Sequence, residues 1–254
     1  MTTTVKRGYG WKGPSKPDIR DLIYEVPEGV VLPSSVDLRQ QFTFAPYDQG
    51  QLGSCVSNAT AGFVEYLQLK EGIPSFMPSR LYIYFNGRWR EGTIGQDSGE
   101  SVRDGVKSVN SLGVCPESEW PYNISQFTLQ PSMQCYADAR STRAVQYSRV
   151  QQSLTQIQTC LASGFPVIFG CSVYQSFEST AVETTGIVPM PSQNEQLLGG
   201  HCMLLVGYDT SKDWFIVRNS WGTGFGDGGY LYMPLEYITN PNLTSDIWTI
   251  RLVS

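Results

Sequence analysis

The chain has 254 residues, of which 41% are apolar and 16% charged, and its formal net charge is −5. That is enough apolar surface for one large domain or two modest lobes, and too little clustered Lys and Arg for a broad phosphate-binding face. No run approaches the ~18 apolar residues of a membrane-spanning helix. Met1 to Gly10 carries Lys6 and Arg7 with no apolar block behind them, so no secretory leader is expected and a cytoplasmic place is the default.

Taken in order, Met1 to Val31 is rich in Gly, Pro and charge and reads as an extended arm with at most one short turn. Tyr9, Trp11, Leu22, Ile23 and Tyr24 give it apolar points of attachment. Two readings stay open: a surface strap, or an arm lying over a cleft. Leu32 to Arg39 is expected to hold the first strand. Next comes a glycine-bearing loop, Asp48-Gln49-Gly50-Gln51-Leu52-Gly53-Ser54, which delivers Cys55 to the first turn of a helix running towards Lys70. Pro78 to Trp89 predicts a second buried helix with Ser79 as its cap, and Val102 to Leu112 a third, stopped by Gly113. A long polar connection follows, with a helical turn near Ala137 to Ala139.

The second half changes character. Ser153 to Ser163 predicts a helix with Leu154, Ile157 and Leu161 on one face. Short apolar runs follow at Pro166–Val173, Gly186–Val188, Cys202–Tyr208, Trp214–Arg218, Gly229–Met233 and Ile247–Ile250. Turn signals between them predict an antiparallel sheet or small barrel. The expected architecture is α+β: a helical lobe followed by a β lobe, with a cleft between.

Three residues carry chemistry. A helix start offers unpaired N–H groups and the positive end of its dipole, both of which favour a thiolate at Cys55. His201 is the only histidine, so any imidazole chemistry must use it and a multi-histidine metal site is excluded. Asn219 ends a strand and is followed by Ser220-Trp221-Gly222. A cysteine nucleophile needs a base, and the base needs a third group to orient it. The six cysteines, Cys55, Cys115, Cys135, Cys160, Cys171 and Cys202, include no C-x-x-C pair, which argues against a zinc ribbon or finger. An odd five remain if Cys55 is a free nucleophile.

At these residues the chain resembles the papain-like cysteine peptidases, in their bacterial type with a short N-terminal arm. Gln49-x4-Gly53-Ser54-Cys55 is similar to their nucleophile motif. Gly200-His201-Cys202 through Gly207-Tyr208 resembles their histidine strand, and Val217 to Tyr230 resembles their asparagine motif throughout. Val36-Asp37-Leu38-Arg39 is similar to the usual start of the mature enzyme.

The resemblance implies a papain-like two-lobe fold with a helical left lobe and an antiparallel β-barrel-like right lobe. Residues 1–31 would be a short pro-like arm and 32–254 the catalytic domain, with the helical lobe at about 40–146 and the β lobe at about 147–247. It implies an endopeptidase with Cys55 as nucleophile, His201 as base and acid in a thiolate–imidazolium pair, and Asn219 orienting the imidazole. Gln49 would be an oxyanion donor, with the Cys55 backbone N–H as the second. Trp221 would shield the His201–Asn219 bond. Ser98, Gly99, Gly200, Trp221, Phe225 and Asp246 would contact substrate, with Gly99 pairing to its backbone. Asp246 would sit under the residue before the scissile bond and favour a basic side chain; an exposed loop aspartate is the alternative. No metal or organic cofactor is implied. The partners would be polypeptide substrates, with no nucleic acid and no membrane, and the enzyme a monomer.

Departures from the pattern are Leu52, where a disulfide cysteine is usual, Val56, where an aromatic residue is usual, and Asp97-Ser98-Gly99 in place of Asn-Gly-Gly. Two other functions stay open at this point: an acyl transferase or amidase using the same three groups, and a peptide-binding relative without activity.

Overall fold

The computed structural model describes residues 7–142 and 144–252. Helix α1, Cys55–Lys70, is buried along almost its whole length. Such a helix has no strong apolar stripe because every face is covered: it packs against helix α2, Arg80–Glu91, on one side and strand β5, Leu197–Asp209, on the other. Its one buried acid, Glu65, accepts bonds from the Tyr47 hydroxyl (2.6 Å) and the Phe44 amide (2.7 Å), and lies 3.5 Å from Arg218.

Helix α2 begins where expected. The Ser79 side chain accepts a bond from the Tyr82 amide, and Gly92 closes the helix in the left-handed conformation. Helix α3, Val102–Leu112, has Ser101 as its cap and Gly113 after its last turn, with Val102, Val106 and Val109 buried on one face. Helices α4, Met133–Asp138, and α5, Leu154–Ala162, fall where turn and helix are predicted. The short helices α6, Thr180–Thr185, and α7, Leu235–Thr239, are not anticipated by the sequence reading.

The remaining strands are β1 (Leu22–Ile23), β2 (Ser35–Asp37), β3 (Ala144–Arg149), β4 (Val167–Tyr174), β6 (Trp214–Arg218), β7 (Tyr230–Pro234) and β8 (Thr244–Leu252). They form one sheet in the order β1-β3-β8-β4-β5-β6-β7, with β2 added on β5. Every pairing is antiparallel except that of β1 with β3.

The barrel-like closure expected of the β lobe is not what forms: the sheet is open. Beyond its ladder with β6, strand β7 meets only two isolated bridges among the described residues, Asp227 to Tyr230 and, on its free edge, Ile187 to Tyr232. The strand expected at Gly186–Val188 is reduced to that bridge because Pro189 and Pro191 follow it and lack the N–H groups that would extend a ladder. Among the described residues no helix is long and apolar enough to cross a membrane.

This topology brings distant residues together. Register pairs His201 with Cys171 and Cys202 with Gly170 across β5 and β4. Strand β6 ends at Arg218 beside β5, so Asn219 leaves the sheet next to His201. Helix α1 packs on that same strand, with Cys55 at its first position.

Candidate active site

The loop before α1 is held from both sides. The Gln49 amide donates to the Ser220 carbonyl (2.9 Å), and the Gly222 amide donates to that of Tyr47 (2.9 Å). The Gly53 amide donates to Asp97 Oδ1 (3.0 Å), and the Tyr122 hydroxyl donates to the Gln49 carbonyl (3.0 Å). Leu52, the position of the missing disulfide cysteine, is buried against Leu81 and Tyr84 instead. The loop is therefore rigid where it releases Cys55, whose side chain is fully buried.

On the opposite wall, His201 Nε2 lies 2.8 Å from Asn219 Oδ1. The Ser220 amide donates to the same oxygen (2.8 Å), which fixes the orientation of the Asn219 side chain. An amide oxygen only accepts, so Nε2 carries the imidazole proton and Nδ1 keeps a lone pair. That Nδ1 is buried with no hydrogen-bond partner among the described residues. Trp221 stacks on the imidazole at 4.7 Å between centroids and 21° between planes. The Ser220 hydroxyl reaches back across the cleft to donate to Gln49 Oε1 (2.6 Å), so the Asn-Ser-Trp turn ties the two walls together.

The cleft is filled by the chain's own arm. The Gly8 carbonyl accepts a 2.9 Å bond from Gln49 Nε2, which also donates to the Leu52 carbonyl at 2.9 Å. The Gly10 carbonyl accepts from the Glu100 amide (2.9 Å), and the Trp11 amide donates to the Gly200 carbonyl (3.1 Å). Tyr9 reaches Glu178 through its hydroxyl and meets Trp221 edge-on. The Arg7 guanidinium lies 4.6 Å from the Trp221 ring centre and 4.2 Å from that of Phe225.

Two glycines make this fit possible. A Cβ on Gly170 would come within 2.2 Å of the Trp11 indole, and one on Gly10 within 1.8 Å of the Gly53 carbonyl oxygen. Beyond Trp11, the Ser15 amide and hydroxyl both donate to Asp246 Oδ2 (2.9 and 2.8 Å), and the Trp11 indole N–H approaches it at 3.4 Å.

Enclosure acts on the charge state. Burial pushes the Cys55 thiol up to about 12, against opposing pulls from the Cys202 and Gly10 backbone N–H groups; the nearby Glu100 raises it further. Burial lowers His201 to about 4; its bond to Asn219 pulls upward, and the Arg7 charge lowers it further. With the arm in place, burial disfavours the charged form of each group and so opposes the thiolate–imidazolium pair that the helix start favours.

The other expected contact residues divide. Gly200, Trp221 and Phe225 all face the arm. Gly99 lies under it, with φ +68° and room for no Cβ against the Gly10 carbonyl. However, its N–H is taken by the Tyr84 hydroxyl (3.1 Å), and the backbone bond expected of it is made by Glu100. Ser98 is turned to Thr93 Oγ1 (2.9 Å) and the Gly99 carbonyl, with no bond to the arm. Asp246 is buried, at φ +59°, and is not the exposed loop residue held as the alternative. Glu100 and Gly170 were missed; the Ser-Gly-Glu run was the signal for the first, and nothing local signals the second.

A sequence profile described as papain family cysteine protease matches residues 32–247. An uncharacterized peptidase C1-like protein of Acanthamoeba polyphaga mimivirus is 37% identical, over 100% of this chain and 89% of its own length. Among solved structures, xylellain, a cysteine protease from Xylella fastidiosa, superposes with a TM-score of 0.93 and 41% identity, over 100% of this chain and 99% of that one. Digestive procathepsin L 3 of Tenebrio molitor larval midgut shares the fold at a TM-score of 0.73 and 22% identity, over 98% and 77% of the two chains.

Proposed function

The chain belongs to the papain family of cysteine proteases, and from that premise we propose that it is an endopeptidase whose N-terminal arm restrains it. Cys55 is the nucleophile, His201 the base and acid, and Asn219 the group that orients the imidazole. Residues 1–31 act as the arm and 32–254 as the catalytic domain, with the lobes dividing near 146.

Release of the arm returns water to the pair. The thiol then becomes more acidic and the imidazole more basic, and the proton moves from Cys55 Sγ to His201 Nδ1. The thiolate attacks the scissile carbonyl carbon. The developing oxyanion takes N–H bonds from Gln49 Nε2 and the Cys55 backbone, each donor lowering the barrier by ~2.7–4 kcal/mol. The imidazolium gives its proton to the leaving amine, and water, activated by the same imidazole, resolves the thioester. Trp221, stacked on His201, keeps solvent from the Asn219 bond. Polypeptides are the substrates, and every step is carried by these side chains and water.

The observation that carries this reading is the Gly8 carbonyl seated on Gln49 Nε2. The arm offers an oxygen to the very donor assigned to the oxyanion. What the arm turns toward the Cys55 sulfur is the Gly10 N–H, which holds no carbon to attack.

The test compares hydrolysis of a peptide library by full-length protein, Cys55→Ala and Trp11→Ala. Cys55→Ala should be inactive, and Trp11→Ala should turn over faster than the parent through weaker docking of the arm. Persistent hydrolysis in Cys55→Ala would remove the nucleophile assignment. Unchanged kinetics in folded Trp11→Ala would remove the restraint.

A further inference from the structure

Outside the cleft, the side chains of Cys115, Glu119 and Cys135 each bring a donor atom within 4.8 Å of the other two. Cys115 stands just after the turn that ends α3, and its carbonyl accepts from the Ser79 amide (2.9 Å). Cys135 lies in α4, and Glu119 belongs to the turn that begins at Pro116. Both sulfurs are buried, whereas Glu119 is exposed. The Glu119 carboxyl is in hydrogen-bond reach of that of Asp138, which stands three residues after Cys135 on the same helical face. The Ser132 hydroxyl donates to Cys135 Sγ (3.2 Å).

We propose that this cluster binds a zinc-class divalent cation, with Cys115 Sγ, Cys135 Sγ and the Glu119 carboxylate as ligands and Asp138 completing a tetrahedron. Two sulfurs and two carboxylate oxygens form a donor set suited to zinc. Zn–S bonds of ~2.3 Å and Zn–O bonds of ~2.0–2.2 Å put neighbouring donors somewhat under ~4 Å apart. Two carboxylates in contact repel each other, and a cation between them removes that repulsion. The thiols release their protons to solvent as the two Zn–S bonds form. The Ser132 hydroxyl is an outer partner that fixes one sulfur. The carboxylates at the surface give the ion a way in.

Such an ion would tie the two ends of the 115–135 segment. The middle of that segment, Trp120, Tyr122 and Phe127, packs on Leu52, Leu81 and Tyr84. Tyr122 also donates to the Gln49 carbonyl, so the ion would brace the loop that presents Cys55.

The experiment uses full-length Cys55→Ala protein, which lacks the competing thiol of the cleft, fully reduced and titrated with Co²⁺ and then Zn²⁺. Stoichiometric cobalt binding with a sulfur-to-cobalt charge-transfer band, displaced by zinc and accompanied by a rise in Tm, is expected. Cys115→Ser or Cys135→Ser should abolish the band. Glu119→Gln and Asp138→Asn, near the surface and tolerant of folding, should each weaken cobalt binding ~10–100-fold. The proposal fails if reduced, folded protein shows no band, or if the band survives either cysteine substitution. It also fails if neither carboxylate variant changes the affinity, or if Cys115 and Cys135 form a disulfide and the reduced protein takes up no metal.

Discussion

The N-terminal arm contains two neighbouring stretches of opposite behaviour. Residues 7–15 lie between the cleft walls, with Gly8 and Gly10 buried and their carbonyls bonded to Gln49 and Glu100. Residues 17–31 run over the surface. Ile19 is fully exposed at 102% and Val31 at 88%, although both are as apolar as anything in the first stretch. The second stretch is fastened by β1 on β3, by the Tyr24 amide bond to the Arg149 carbonyl (2.9 Å), by Asp21 paired with Arg103 and Arg149, and by Val26 on the core. Hydrophobicity does not separate the two. What separates them is the alternation of glycine with an aromatic ring, Gly8-Tyr9-Gly10-Trp11, which lets the backbone approach the walls while each ring finds a pocket.

The largest test of that contrast is acid. His201 is held near 4 in the closed state against 6.5 for a free imidazole. In Cys55→Ala protein, where no thiol hands its proton to the imidazole, an open or unfolded state therefore takes up a proton that the closed state refuses. Closure has its full strength above about pH 6.5 and weakens as pH falls towards 4, by up to ~3 kcal/mol. Hydrogen exchange at the Gly10 and Trp11 amides, corrected for intrinsic rate, should accelerate across that window, while Leu22 and Ile23 change little. Equal acceleration in both stretches would erase the distinction.

Gly10→Ala comes next. The new methyl meets the Gly53 carbonyl, and overpacking of this kind costs ~1–3 kcal/mol. Peptide hydrolysis by the full-length variant should rise roughly 10–100-fold, with its CD spectrum unchanged. The smallest effects sharpen the comparison. Ser15→Ala removes the hydroxyl bond to Asp246 and should raise activity by up to ~10-fold, for ~0.5–1.5 kcal/mol. Ile19→Ser should alter neither activity nor stability by more than ~0.5 kcal/mol.

Local signals made much of this molecule legible before its structure. Ser79 caps the helix it was expected to cap, and the helices read at Val102–Leu112 and Ser153–Ser163 form there, capped by Ser101 and Ser153. His201 meets Asn219, and Gln49 meets Ser220, because each sits in a motif whose neighbours are also in place. The rest depended on non-local packing. The arm's path requires Gly170, which pairs with the arm only in three dimensions. Glu100 replaces Gly99 as the backbone donor because the Tyr84 hydroxyl, from another helix, already holds the Gly99 amide. The upward pull on the Cys55 thiol and the downward pull on the His201 imidazole come from enclosure, and motif spacing carries no information about that. Cys115 and Cys135 share no motif at all. They meet because the chain between them folds back over Leu52.

The pairing of Leu22–Ile23 with Ser148–Arg149 gives the arm a fixed hinge point a short distance from its docking segment. A covalently tethered ligand of this kind experiences an effective concentration on the order of millimolar. Under the proposed restraint, dilution therefore cannot free the enzyme, and fractional activity should be the same at any protein concentration. An external peptide gains the cleft only by matching that local concentration or by acting while the tether is cut. Severing the chain between Ser15 and Leu22 would turn a permanent occupant into an ordinary dissociable one.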